Sequence, residues 1–158
     1  MKITDLLQEN SIKLNVVSKA KGEALNQIIN LISQTGNIAN KEELEEIFED
    51  KIDTNEEIIM YAKKLQEMGA QNVLISLGKD GAILISKDYR VLYSKAPKGV
   101  VVNSVGAGDS MVAGFLAGLL IHDDYEKAFK MGIAAGSAST FSENLATKDE
   151  ILYQFSKL

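Results

Sequence analysis

The sequence predicts an α/β domain, and three observations carry that prediction. Residues 73–77 (Val-Leu-Ile-Ser-Leu) form a short continuous apolar run, the pattern of a strand buried on both faces of a sheet. Stretches with apolar residues at helical spacing are opened by Ser, Asn or Thr and closed by glycine, which are the chemical marks of helix ends. A glycine-rich turn, Gly106-Ala107-Gly108-Asp109, stands between a valine run and a long apolar stretch.

The elements follow in order along the chain. Ile3, Leu6 and Leu7 suggest a short opening helix, and Ile12, Leu14, Val16 and Val17 an extended piece. Ser18 can cap a helix in which Ala24, Leu25, Ile28, Ile29 and Ile32 recur until Gly36 stops it. Asn40 begins a helix over 41–49, and Thr54 with Glu57 makes a capping box for another that runs to Met68 and ends at Gly69. Strands are expected over 73–77, 81–86 and 90–93, with Lys79-Asp80-Gly81 and Lys87-Asp88-Tyr89 as hairpin turns. Val100, Val101 and Val102 predict a further short strand after Pro97, the only proline. The apolar stretch 111–121 predicts a buried helix. It is interrupted by Gly114 and Gly118 and is shorter than the roughly 20 residues a membrane helix needs. Two more helices are expected, over 125–141 and after the capping box of Thr147 and Glu150.

Composition narrows the function classes. A length of 158 residues, 46% hydrophobic and 25% charged, suits one soluble domain with a real core. The formal net charge of −5, with no cluster of Lys and Arg, argues against nucleic acid or an anionic membrane as partner. Cysteine is absent, which removes disulfides, thiolate metal sites and thiol nucleophiles together. The N-terminus lacks the basic start and apolar middle of a signal peptide, so a cytoplasmic location is expected, without membrane insertion.

The segment from Asn103 to Ser110 carries the chemistry. Its glycines let a backbone approach a ligand closely, and a helix start presents unpaired N–H groups and the positive end of a dipole. An aspartate there repels a plain phosphate, but it makes sense if a hydroxyl must attack phosphorus held by the neighbouring amides. Asp109 would then accept the proton, while Gly106, Ala107 and Gly108 form the anion hole. The other reading is that Asp109 caps the helix and the glycines serve packing. No Gly-x-x-x-x-Gly-Lys-Ser/Thr loop occurs in the chain. His122, at the end of the apolar helix, reads as a solvated helix-end residue and is assigned no chemistry.

The run Gly106-Ala107-Gly108-Asp109, followed by Ser110-Met111-Val112-Ala113-Gly114-Phe115-Leu116, resembles the C-terminal signature of the phosphofructokinase B family of ribokinase-like kinases. In that family the aspartate is the catalytic base. Ser76-Leu77-Gly78-Lys79-Asp80-Gly81-Ala82 resembles the family's strand-end loop bordering the nucleotide phosphates, which implies nucleotide contacts at Ser76, Gly78 and Gly81; any tight hairpin would also use Asp80-Gly81. Asn40 and Glu43 are similar to the Asn-x-x-Glu that helps position Mg²⁺, although the same pair makes an N-terminal cap. The tail from Gly132 to Thr147 resembles the helices that flank the family's adenine pocket, where the small residues Ala134, Ala135, Gly136, Ser137 and Ala138 would let a flat base lie against a helix, with Gly136 beside the nucleotide; close helix packing is the alternative.

From about residue 38 onward the chain looks like the C-terminal part of 1-phosphofructokinase or tagatose-6-phosphate kinase. The resemblance implies part of a three-layer α/β/α fold over 39–158, preceded by a short helical segment. Residues 1–38 instead resemble the opening of a fructose-type enzyme IIA domain of the sugar phosphotransferase system. The family's first strands, β-sheet lid and sugar-binding signature are not found in this sequence, and Asn103 stands where many relatives have Asp.

The resemblance therefore implies a kinase that moves the terminal phosphoryl group of ATP, with Mg²⁺, to a phosphosugar hydroxyl, as in fructose 1-phosphate to fructose 1,6-bisphosphate. Activity is expected to be impaired where the sugar-binding half is lacking. A non-catalytic nucleotide-binding or regulatory fragment of a fructose phosphotransferase system is the alternative, and an interaction module of that system a third. A sheet lacking partner strands would expose an edge, so homo-oligomer formation is expected.

Overall fold

The computed structural model describes residues 38–158, which fall into two compact units dividing at Pro97. The helices and extended piece expected before residue 38 lie outside the described residues.

In the first unit, strand β1 (Ile38–Asn40) leads into helix α1 (Lys41–Phe48), helix α2 (Asn55–Glu67) and strands β2 (Val73–Ser76), β3 (Ala82–Ile85) and β4 (Val91–Ser94). The sheet order is β1-β2-β3-β4. β1 runs parallel to β2, while β2, β3 and β4 form an antiparallel meander. The apolar run of β2 does not alternate, the pattern of a doubly buried strand, and Val73, Leu74 and Ile75 are at most 2% exposed. One face of β2 and β3, formed by Val73, Ile75, Ile83 and Ile85, joins Leu44 of α1 and Ile58, Tyr61, Ala62 and Leu65 of α2 in a single core cluster.

The helix ends follow the sequence closely. Asn40 and Thr54 both make capping boxes, with Glu43 and Glu57 as the returning carboxylates. Both expected hairpin turns form. Leu77 N–H donates to Gly81 O at 2.8 Å around the 3₁₀ turn Gly78–Asp80, and Ser86 N–H donates to Arg90 O at 2.9 Å around residues 87–89. Gly81 sits at φ 107°, and a Cβ there would stand 2.0 Å from Ser94 O, so only glycine fits.

The second unit is an α-helical hairpin with a third helix: α3 (Ala107–His122), α4 (Tyr125–Thr140) and α5 (Lys148–Phe155). The glycines set how closely α3 and α4 approach. A Cβ on Gly118 would fall 2.6 Å from Ala128 Cα, and one on Gly132 would fall 2.9 Å from Met111 O. Such pairings, descending one helix while climbing the other, make the two antiparallel. The apolar stretch 111–121 is thus a core helix, with Met111, Phe115 and Leu116 buried. No described helix is long and apolar enough to cross a membrane. His122 is only partly exposed, its ring 6.3 Å from that of Phe155 and nearly parallel to it.

One expected element is corrected. Val100, Val101 and Val102 form no strand, and their side chains are 80%, 65% and 52% exposed. The valine run has strand propensity, but its hydrogen bonds go elsewhere. The N–H groups of Val102 and Asn103 both donate to Thr140 O, at 2.9 and 3.1 Å, where α4 ends and carbonyls lack helical partners. Gly99 lies against the Phe141 ring, and a Cβ there would be 2.5 Å from the ring carbons. The segment thus terminates a helix instead of extending a sheet.

Candidate functional site

The start of α3 is built by Gly106, which takes the N-cap position in the left-handed region at φ 78°. That bend makes Ala107, Gly108 and Asp109 the first three helical residues. Their amides precede the helical i→i−4 ladder, whereas Ser110 N–H already reaches Gly106 O at 2.9 Å. Asp109 is therefore not the cap. It sits in the first turn, and its side chain is exposed and turned away from the core.

Gly106, Ala107 and Gly108, expected to form an anion hole, differ in their local geometry. Ala107 N–H donates to Ser104 O at 3.2 Å, closing a turn across Gly106, so it is engaged before any ligand arrives. Gly106 supplies the bend, and Gly108 and Asp109 are the exposed residues of the first turn. Gly108 is exposed, and a Cβ there would meet nothing within 4 Å. Packing therefore does not call for glycine at 108. A glycine in open space at a helix start is what close ligand approach requires.

The loop 142–146 borders this helix start. Asn103 Oδ1 accepts from Val105 N at 3.0 Å, and its Nδ2 donates to Glu143 O at 3.3 Å. A Cβ on Gly106 would lie 3.0 Å from Leu145 Cδ2. The resemblance included this loop in the tail 132–147, but its link to the helix start is tertiary and leaves no local spacing signal.

A second group gathers at the C-terminal ends of the parallel strands β1 and β2, where Asn40 and Ser76 are register partners. Ligands collect at such strand ends in α/β folds because helix and loop N–H groups converge there. Asn40 Oδ1 accepts from Glu43 N at 2.7 Å, and Glu43 Oε2 accepts from Asn40 N at 3.1 Å. The pair therefore makes the cap, and Glu43 remains exposed. Among the described residues no cluster of three or more His, Asp and Glu could hold a metal ion. Mg²⁺ bound chiefly by phosphates and water needs only one or two carboxylates, so an exposed Glu43 fits that role. Gly78, at φ 57° and exposed, has nothing within 4 Å of a Cβ position and owes its glycine to backbone angle alone. Gly81, by contrast, is accounted for by the hairpin.

Gly136 is also accounted for by packing. It is buried, and a Cβ there would be 3.0 Å from Ala107 O and 3.2 Å from Met111 Cβ. Gly136, which the resemblance places beside a nucleotide, has its Cβ direction facing α3. Its effect on the site is indirect, through how closely the start of α3 approaches α4. The two groups of candidate residues belong to different units, and each stands on its own local geometry.

Comparison with known proteins agrees with the resemblance read from the glycine-rich turn. Residues 1–151 match the pfkB family carbohydrate kinase, a span that includes the residues 1–38 likened above to an enzyme IIA opening. The 1-phosphofructokinase of Bacillus subtilis is 48% identical over 110 residues, 70% of this chain and 36% of that protein. The D-tagatose-1-phosphate kinase of Bacillus licheniformis is 35% identical over 148 residues, 92% of this chain and 47% of that protein. The crystal structure of Escherichia coli phosphofructokinase-2 with substrates and products matches with a TM-score of 0.71 at 27% identity, covering 87% of this chain and 45% of that one. The chain spans between about a third and a half of the length of the curated relatives it matches.

Proposed function

The chain belongs to the pfkB family of carbohydrate kinases, and from that premise we propose that it carries the phosphoryl-transfer end of an ATP-dependent phosphosugar kinase. The reading favoured is 1-phosphofructokinase-like, from fructose 1-phosphate to fructose 1,6-bisphosphate. The observation that carries it is the exposed Asp109 beside the exposed, unpacked Gly108 in the first turn of α3.

In this mechanism the amides of Gly108 and Asp109, with the helix dipole, receive charge on the transferred phosphoryl group. The Asp109 carboxylate accepts the proton of the sugar hydroxyl as that oxygen bonds to the γ-phosphorus. The bond from the γ-phosphorus to the bridging oxygen breaks, and the electron pair leaves on ADP. In the other unit, considered by itself, the resemblance assigns nucleotide contacts to Ser76 and Gly78 at the strand ends. Glu43, oriented by Asn40, would hold Mg²⁺ through its water shell, and that ion would supply neutralisation of phosphate charge.

Calorimetry with ATP-Mg²⁺, with and without fructose 1-phosphate, tests the reading, together with turnover of Asp109→Asn. The expected result is nucleotide binding that Asp109→Asn leaves nearly intact, with turnover abolished. Undiminished turnover in the variant would reject Asp109 as base. Binding of ATP but no phosphosugar would favour the non-catalytic nucleotide-binding alternative, and no binding of ATP-Mg²⁺ would favour an interaction module.

A further inference from the structure

Ser139, near the end of α4, is 3% exposed. Its Oγ donates to Ser110 Oγ at 2.8 Å and accepts from Ala146 N at 3.1 Å. A hydroxyl has one donor and two acceptor positions, so a single Ser139 can make both bonds, and bonds in series strengthen one another away from water. Ser110 lies next to Asp109 in the first turn of α3. Ala146 is 3% exposed, at the end of the loop 142–146.

The same loop touches the residues on the other side of the turn, through Asn103 to Glu143 O and through Leu145 to Gly106. The stretch from Asn103 to Ser110 is therefore fastened to one loop at both ends. At the downstream end the fastening passes through the Ser139 hydroxyl. Removing that hydroxyl leaves the buried Ala146 N–H without its acceptor, which favours movement of the loop toward water.

We propose that Ser139 is a positioning residue: through Ser110 and Ala146 it fixes the first turn of α3, and with it the Gly108 amide and the Asp109 carboxylate, against the loop 142–146. The functional consequence rests on the kinase reading above, whereas the mechanical link does not.

The test uses Ser139→Ala, Ser139→Thr and Ser110→Ala in the full chain, with amide hydrogen exchange in the ligand-free state and calorimetry with ATP-Mg²⁺. Ser139→Ala is expected to speed exchange at both the Ala146 and the Ser110 amides and to weaken ATP-Mg²⁺ binding about fivefold, the scale of one net hydrogen bond. Ser110→Ala should lower affinity similarly while leaving Ala146 protected, and Ser139→Thr, which keeps a hydroxyl, should restore both readouts. A Ser139→Ala chain that melts earlier, yet keeps wild-type affinity and wild-type exchange at Ser110, would overturn the proposal. If Ser139→Ala does not fold, the part-exposed Ser110→Ala carries the affinity test alone, and unchanged affinity there is equally fatal. If the wild-type chain binds no ATP-Mg²⁺ the kinase reading fails, and the exchange data alone then decide whether the two amides are coupled.

Discussion

A Cβ on Gly114 of α3 would stand 2.6 Å from the Cβ of Ala135 in α4, closer than two carbon atoms can approach without displacement. The carbonyl oxygen of Met131 would lie 2.7 Å away, so backbone as well as side chain blocks the space. Gly114 therefore fixes the spacing of the two helices, and Gly136 does the same one end further along, next to the site.

Gly114→Ala sets two effects against each other. Alanine improves helix propensity by up to about 1 kcal/mol, while overpacking a closed interface costs about 1–3 kcal/mol. The clash wins because backbone cannot rotate away as a side-chain tip can. Urea unfolding followed by circular dichroism should show a net loss of about 1–2 kcal/mol. A variant as stable as wild type would mean that α3 and α4 are not held at this distance.

Acid should weaken the fold through groups whose carboxyls lie below their ordinary range. Glu57 is held down from 4.5 by the N–H groups of Asp53 and Thr54, and Glu150 from 4.5 by the Thr147 N–H and hydroxyl. Asp50 is held below 3.8 by the Tyr61 hydroxyl and the Lys51 N–H. A carboxyl with a depressed folded-state value binds fewer protons folded than unfolded. Its stabilisation is therefore full above the ordinary value and fades as pH falls through the folded one. Thermal midpoints should be level above about pH 5 and decline below it, with a shallower decline in Glu57→Gln and Glu150→Gln. Tyr61, raised above 10.0 chiefly by its bond to Asp50, works in the opposite sense: its contribution is full below 10.0 and is lost as pH climbs past the raised value. A melting profile flat from pH 5 to pH 3 would show that these caps do not hold in solution.

What the sequence revealed and what it hid divide along the range of the interactions. The capping boxes of Asn40, Thr54 and Thr147 were legible because donor and acceptor lie three residues apart. The hairpin turns were legible because Gly81 and the residues 87–89 carry the bend locally. Val100, Val101 and Val102 misled because β propensity says nothing about where a partner strand is, and here the partner is the last carbonyl of a helix. Gly136 was ambiguous in a related way, since a small residue beside a pocket and one beside a helix look alike in sequence, and the structure shows the helix contact. The bond from Ser139 to Ser110 spans 29 positions, and no local pattern announces it.

Gly108 separates packing from function because, among the described glycines with open space at the Cβ position, it is the one without a positive φ. It lies in the first turn of α3 with open space where a Cβ would go, so Gly108→Ala meets no steric obstacle. Alanine should leave the unfolding free energy unchanged or raise it, by up to about 1 kcal/mol of helix propensity. If the amides of Gly108 and Asp109 hold a phosphate, the added methyl crowds an oxygen that must come within about 3 Å of those nitrogens. Affinity for ATP-Mg²⁺ should then fall about tenfold, or about 1.4 kcal/mol. That combination, higher stability with weaker binding, is the signature of a glycine kept for a ligand. A Gly108→Ala chain that binds ATP-Mg²⁺ as wild type does would remove this helix start from the nucleotide site, and the proton-accepting role of Asp109 would lose its neighbouring phosphate.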